Sequence, residues 1–134
     1  MKVYLAGPMT NVPHYNFPLF DQVAALLRAG GWEVISPAEE DRKRKIGAIA
    51  EASPDGKSEL PETWADVLGR DLKLIADGGV EGIVFLPGWT QSRGARLEAQ
   101  IGLLCDLKFF LWTLDDLLID IGRRDVALSL YLAA

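Results

Sequence analysis

The stretch "LPGWTQSRGARLEAQIG" (residues 86–102) decides how this chain is read. It continues the apolar run "GIVFLP", is broken by Pro87-Gly88, and then takes up a helical spacing of Ala95, Leu97, Ile101 and Leu104. Strand, tight turn and helix in that order make one half of a βαβ unit. Inside the helix start stands a carboxylate, Glu98, with Gly94 one turn before it. Helical side chains lean toward the N-terminus, so Glu98 overlies a position that has no side chain. Open space in front of a carboxylate suits a ligand, although a solvated helix residue beside a close strand–helix contact gives the same pattern.

Working outward, the chain alternates. "KVYLAG" and "WEVIS" read as strands before this one, and "LKFFLWT" as a strand after it. Asn16 is a fitting N-cap for a helix over "FPLFDQVAALLRAGG", and "TWADVLGRDLKLIADGG" is helical. The C-terminal "LDDLLIDIGRRDVALSLYLAA" (residues 114–134) is expected to add one or two helices. Alternation of this kind implies a single α/β domain, a Rossmann-like or flavodoxin-like three-layer sandwich with a mostly parallel sheet of four to five strands. The polar stretch 38–62 is long for an unstructured loop. It is expected to hold a short helix near Ile46 to Glu51, or to act as a lid. In such folds ligands bind beyond the carboxyl ends of the strands. The loops there begin at Gly7, Ser36, Leu86 and Thr113, which brings Glu98 to the expected place.

Composition sets outer limits. The chain has 134 residues, 49% of them hydrophobic, which suits one soluble domain. Its net charge of −5 argues against a nucleic-acid polymer as partner, since phosphate backbones need a basic face. No run is long enough for a membrane span or a signal peptide. One cysteine allows no internal disulfide and fits a reducing, cytoplasmic setting. Cys105, among Ile101, Leu104 and Leu107, reads as a buried inert thiol. With His14 the only histidine, no metal site is expected, and nothing points to a cofactor.

A second carboxylate breaks the pattern of its helix. Asp71 falls within the apolar stripe of Trp64, Val67, Leu68, Leu72 and Ile75. A carboxylate facing a core costs several kcal/mol unless it has a partner, such as Arg70 or Arg28, or borders a cavity. Two carboxylates on core-facing edges of neighbouring helices suggest acid/base or nucleophilic chemistry.

"VYLAGPM", "RDLKLIADGGVEGIVFLPG" and "SRGARLEAQIG", in this order and spacing, resemble the nucleoside 2-deoxyribosyltransferase-like superfamily, in particular its small, often phage-borne branch. The resemblance spans most of residues 3 to 112. It implies that Glu98, in the pattern G-x-x-x-E, is a nucleophile, that Asp71 is its helper acid, and that Tyr4 on the first strand hydrogen-bonds the nucleophile. The transferases carry an aspartate six residues before the nucleophile, whereas here stands Ser92, as in the related deoxynucleoside-monophosphate N-glycosidases. Those enzymes also hold phosphate with an arginine in the first loop, and "GPMTNVPHYN" has none. Substrate contacts are expected from Gly7, Pro8 and Met9, from Gly88, Ser92, Arg93 and Gly94, and by base stacking from Tyr15 and Trp89. The implied reaction is cleavage of an N-glycosidic bond in a small-molecule nucleoside or its 5′-monophosphate, as hydrolase or transferase. A helix N-terminus is expected to keep Glu98 ionised while a less solvated Asp71 retains a proton. A homodimer or larger homo-oligomer is implied, and the C-terminal apolar stripes agree with it.

Two other readings remain. "PGWTQSRGARLE" resembles the P-G-G-x-G-T-x-x-E motif of cytokinin-activating phosphoribohydrolases, with the second glycine and the threonine replaced. A nucleotide-sensing domain without turnover would use the same fold.

Overall fold

Val3, Tyr4, Leu5 and Ala6 are all fully buried, which a strand achieves only when both faces of its sheet are covered. In the computed structural model, which describes residues 1–133, they form β1 (Lys2–Ala6). There follow α1 (Phe17–Ala29), β2 (Glu33–Ile35), α2 (Pro37–Arg42), α3 (Lys45–Glu51), α4 (Trp64–Asp77) and β3 (Gly82–Phe85). The chain ends with α5 (Arg93–Leu104), β4 (Lys108–Trp112), β5 (Leu118–Ile121) and α6 (Arg123–Ala133). The sheet order is β2-β1-β3-β4-β5, with β2, β1, β3 and β4 parallel and β5 antiparallel to β4. This is the expected three-layer α/β sandwich.

Alternate residues of each strand serve opposite layers. Val3, Leu5, Val84 and Leu86 pack with Phe17, Phe20 and Val23 of α1 and with Ala38 and Ala50 of α2 and α3. Tyr4, Ala6, Ile83 and Phe85 face the other way, toward Ile75 of α4, Ala99 of α5 and Val126 of α6. At Gly102 the fit is close, since a Cβ there would lie 2.7 Å from Ile83 and 2.8 Å from Phe109.

Three expectations need correction. Residues 114–121 are not helical. Thr113 N–H bonds Leu117 C=O at 2.9 Å, Asp116 takes a left-handed conformation (φ 58°), and its carboxylate accepts from the Trp112 indole at 2.9 Å. That tight turn sends "LIDI" back along the β4 edge, and only α6 remains of the C-terminal helices. Cys105 is exposed, because α5 stops at Leu104 and the chain turns away through Asp106 (φ 56°). Asn16 does precede α1, but its side chain does not cap the helix; its amide donates to Pro8 C=O at 2.9 Å.

The polar stretch is more ordered than a loop. The expected helix near Ile46 is α3, and α2 precedes it with Pro37 at its start, Glu39 and Glu40 in its first turn and Arg42 in its last. Arg42 fastens the pair by bonding Asp21 at 2.6 and 2.7 Å and Glu51 at 2.8 Å. Residues 52–63 are irregular. They are stitched to the first loop by Asn11 N–H to Gly56 C=O (3.0 Å), His14 N–H to Ser53 C=O (2.7 Å) and the Tyr15 hydroxyl to Ser58 C=O (2.8 Å). No helix among the described residues is long and apolar enough to cross a membrane.

Candidate active site

A cavity of about 590 Å³ opens beyond the carboxyl ends of β1 and β3. That is where the strand order reverses, the position at which open parallel sheets bind ligands. Its floor is built by two helices. Glu98 lies on the second turn of α5, which starts at the β3 end, and Asp71 lies in the middle of α4; both are 6% exposed and both line the cavity. Tyr4 reaches up from β1 beneath them and its hydroxyl donates to Glu98 Oε2 at 2.5 Å.

The two carboxylates differ in support. Arg70 grips Asp71 Oδ1 through Nε at 2.9 Å and Nη2 at 2.6 Å. Among the described residues, Glu98 has Tyr4 as its hydrogen-bond partner and no cation in contact. Burial pushes the Asp71 carboxyl up to about 6, with Arg70 opposing. Burial, and then the Asp71 charge, push the Glu98 carboxyl well above its ordinary value. Tyr4 is also raised, by burial and then by Glu98, so it remains a donor. The expected contrast, an ionised Glu98 beside a protonated Asp71, is not one that burial supplies: burial raises both carboxyls, and Arg70 is in contact with Asp71. The two readings of Asp71, an ion pair or a cavity wall, both hold at once.

Gly7, Pro8, Met9, Tyr15, Ser92, Arg93 and Gly94 join Asp71 and Glu98 along the cavity wall, while Tyr4 lies behind it. Gly88 and Trp89 do not. Gly88 makes a left-handed turn (φ 83°) that folds the Trp89 indole back onto Phe85, with ring centroids 4.1 Å apart, so it cannot stack on a base. The aromatic at the mouth is Trp64, with the Arg93 guanidinium 4.4 Å above its ring. Ser92 caps α5, its Oγ accepting from Ala95 N–H at 3.2 Å, which leaves its own proton free to donate. A Cβ at Gly94 would meet nothing nearer than Ser92 Oγ at 3.9 Å.

Sequence reasoning missed Asp41, which lines the cavity from α2, and the placement of Arg70 between Asp41 and Asp71. Asp41 sits among five charged neighbours, residues 39–44, so only its 5% exposure in the fold sets it apart. No group of three or more His, Cys, Asp or Glu side chains among the described residues is arranged to hold a metal ion.

The family model for DUF4406, a domain of unknown function, matches residues 1–110. The chain belongs to that family. The DUF4406 match takes in every residue of the cavity floor and ends within β4, so β5 and α6 lie beyond it. No curated protein matches this DUF4406 chain.

Proposed function

We propose that the chain hydrolyses the N-glycosidic bond of a (deoxy)nucleoside 5′-monophosphate through a covalent intermediate on Glu98. The observation that carries this reading is the buried pair Glu98 and Asp71, facing one cavity at the β1 and β3 ends, with Glu98 held by Tyr4. The likeness to the deoxyribosyltransferase superfamily supports it from the sequence.

The chemistry follows from the pair. In the reactive form the pair's proton lies on Asp71, while Glu98 is ionised and accepts from the Tyr4 hydroxyl. Ionised Glu98 then attacks the anomeric carbon, the C–N bond breaks, and its electron pair goes to the base nitrogen, which takes the proton from Asp71. Water, giving a proton back to Asp71, attacks the same carbon and frees Glu98, so configuration is retained. Oxocarbenium charge in the transition state favours the ionised glutamate.

The 5′-phosphate is assigned to the start of α5. The Ser92 hydroxyl proton, the Arg93 and Gly94 N–H groups of the first helical turn and the Arg93 guanidinium suit a phosphate there. Two such bonds are worth about 2–4 kcal/mol, a preference for monophosphate over nucleoside of roughly 30- to 1,000-fold in kcat/KM. Ser92→Gly keeps an acceptable helix start and removes the hydroxymethyl group with its donor. It is expected to reduce that preference by about tenfold, roughly the worth of one hydrogen bond. Equal use of nucleoside and monophosphate by the parent protein would move the reading to a nucleoside hydrolase or transferase. Binding of nucleotides with no base released would move it to a sensor.

The chain is further taken to act as a homo-oligomer. Leu104, Tyr131 and Leu132 are 80%, 78% and 73% exposed on α5 and α6, more apolar surface than a lone domain gains from. Light scattering at micromolar concentration is expected to report a dimer or larger, and a strict monomer would overturn this.

A further inference from the structure

Arg70 is a buried cation with more than one duty. Its side chain is 14% exposed, and besides its two contacts with Asp71 it places Nη1 2.7 Å from Asp41 Oδ1. The Asp41 contact is close but poorly angled, so neither atom completes a well-directed hydrogen bond, although both are sealed from solvent. A row of three buried charges costs more desolvation than apolar side chains of the same size, so joining α2 to α4 is a weak reason for having it.

We propose that Arg70 and Asp41 are a tuning pair for the acid: Arg70 is a positioning residue that aims Asp71 at Tyr4 and Glu98 and keeps its proton transferable, while Asp41 limits how firmly Arg70 holds the charge. The assignment of Asp71 as an acid rests on the reaction proposed above. Burial alone would make Asp71 hold its proton too tightly to give it to a leaving base. A guanidinium with no second partner would hold Asp71 ionised so firmly that it rarely takes up a proton to give. Between the two, Asp71 comes to about 6, in the range where a general acid both carries and releases a proton. The groups acting on Asp71 come from every element around it: Tyr4 from β1, Glu98 from α5, Arg70 from its own helix and Asp41 from α2. Asp41 itself is raised by burial, lowered by Arg70, and further influenced by Glu62 and Arg44, which pair at 2.7 Å. The contribution from α2 makes the acid depend on a segment that does not touch it.

The test is a carboxyl NMR titration of the ligand-free protein, run beside the pH profile of base release from a deoxynucleoside 5′-monophosphate. Arg70→Met is expected to move the Asp71 midpoint upward and to lower kcat at least tenfold with little change in KM. Arg70→Lys is expected to restore most of both. Asp41→Asn, nearly isosteric, is expected to move the midpoint downward, and it carries the test if Arg70→Met does not fold. Midpoints that stay put in Asp41→Asn and Arg70→Lys, with only the melting temperature lowered, would overturn the proposal and leave a structural clip. Midpoints that move as expected, in a protein that releases no base, would uphold the tuning pair and instead sink the glycosidase reading.

Discussion

Glu98→Gln is expected to release no base at all and yet to melt at a higher temperature than the parent chain. The loss of activity follows because an amide cannot form the glycosyl ester, while its volume and its carbonyl, which can still accept from Tyr4, are kept. The gain follows from linkage. The Glu98 carboxyl is raised in the fold, chiefly by burial. A carboxyl raised on folding favours the protonated native state, so it withdraws stability as pH climbs above the unfolded value of about 4.5 and up to its own folded value. Glutamine does not titrate and escapes that loss. The difference between the two proteins should be small near pH 4 and widen toward pH 8, read as a growing gap in Tm. Calorimetry across that range, with a base-release assay on the same samples, checks both halves. An active Glu98→Gln would end the covalent mechanism, and a stability gap that does not grow with pH would show that folding does not raise the Glu98 carboxyl.

Gly94→Leu should do the opposite of what an intruding core residue does. At Gly102 the room for a side chain is taken by Ile83 and Phe109, but at Gly94 it is empty apart from Ser92 Oγ. Leucine is a better helix former than glycine by about 0.5–1 kcal/mol, so stability should hold or rise. The new side chain would enter the cavity in front of Glu98, where the substrate must approach to bonding distance. A loss of 100-fold or more in kcat/KM is expected, since misplacement by about 1 Å costs that much. A folded Gly94→Leu with full activity would show that the ligand sits elsewhere.

What the sequence disclosed and what it hid have separate physical origins. β1 and β3 were legible because strands buried on both faces are apolar without interruption. Glu98 and Asp71 were legible as polar residues lying on or beside the apolar stripe of a helix, a local signal. β5 was hidden because "LDDLLIDI" fits two periods, and its pairing with β4 is decided by a turn at Asp116 and by an edge formed elsewhere in the chain. Trp89 was misdirected for a similar reason: one left-handed glycine sets which way the indole faces, and no spacing rule records it. The Arg70–Asp41 contact spans 29 positions and two helices, and nothing local in a run of charges marks the member that ends up inside. The electrostatics of the carboxyl pair were hidden with that contact, since burial raises both groups and Arg70 opposes the rise at Asp71.

His14, Tyr15 and Asn16 take left-handed backbone angles in succession (φ 56°, 51° and 62°), where side chains other than glycine are under strain. Each such residue costs about 1–2 kcal/mol. The three hydrogen bonds that fasten this loop to residues 53–58 return about 0.5–1.5 kcal/mol apiece. The bonds offset part of that strain, so they act as a latch without which the loop would not keep these angles. Gly56, with φ 70° and a would-be Cβ only 2.1 Å from Val12 C=O, lets the latch seat fully. The cavity wall that Tyr15 supplies therefore rests on that attachment, and loosening residues 53–58 would disturb the site from outside it.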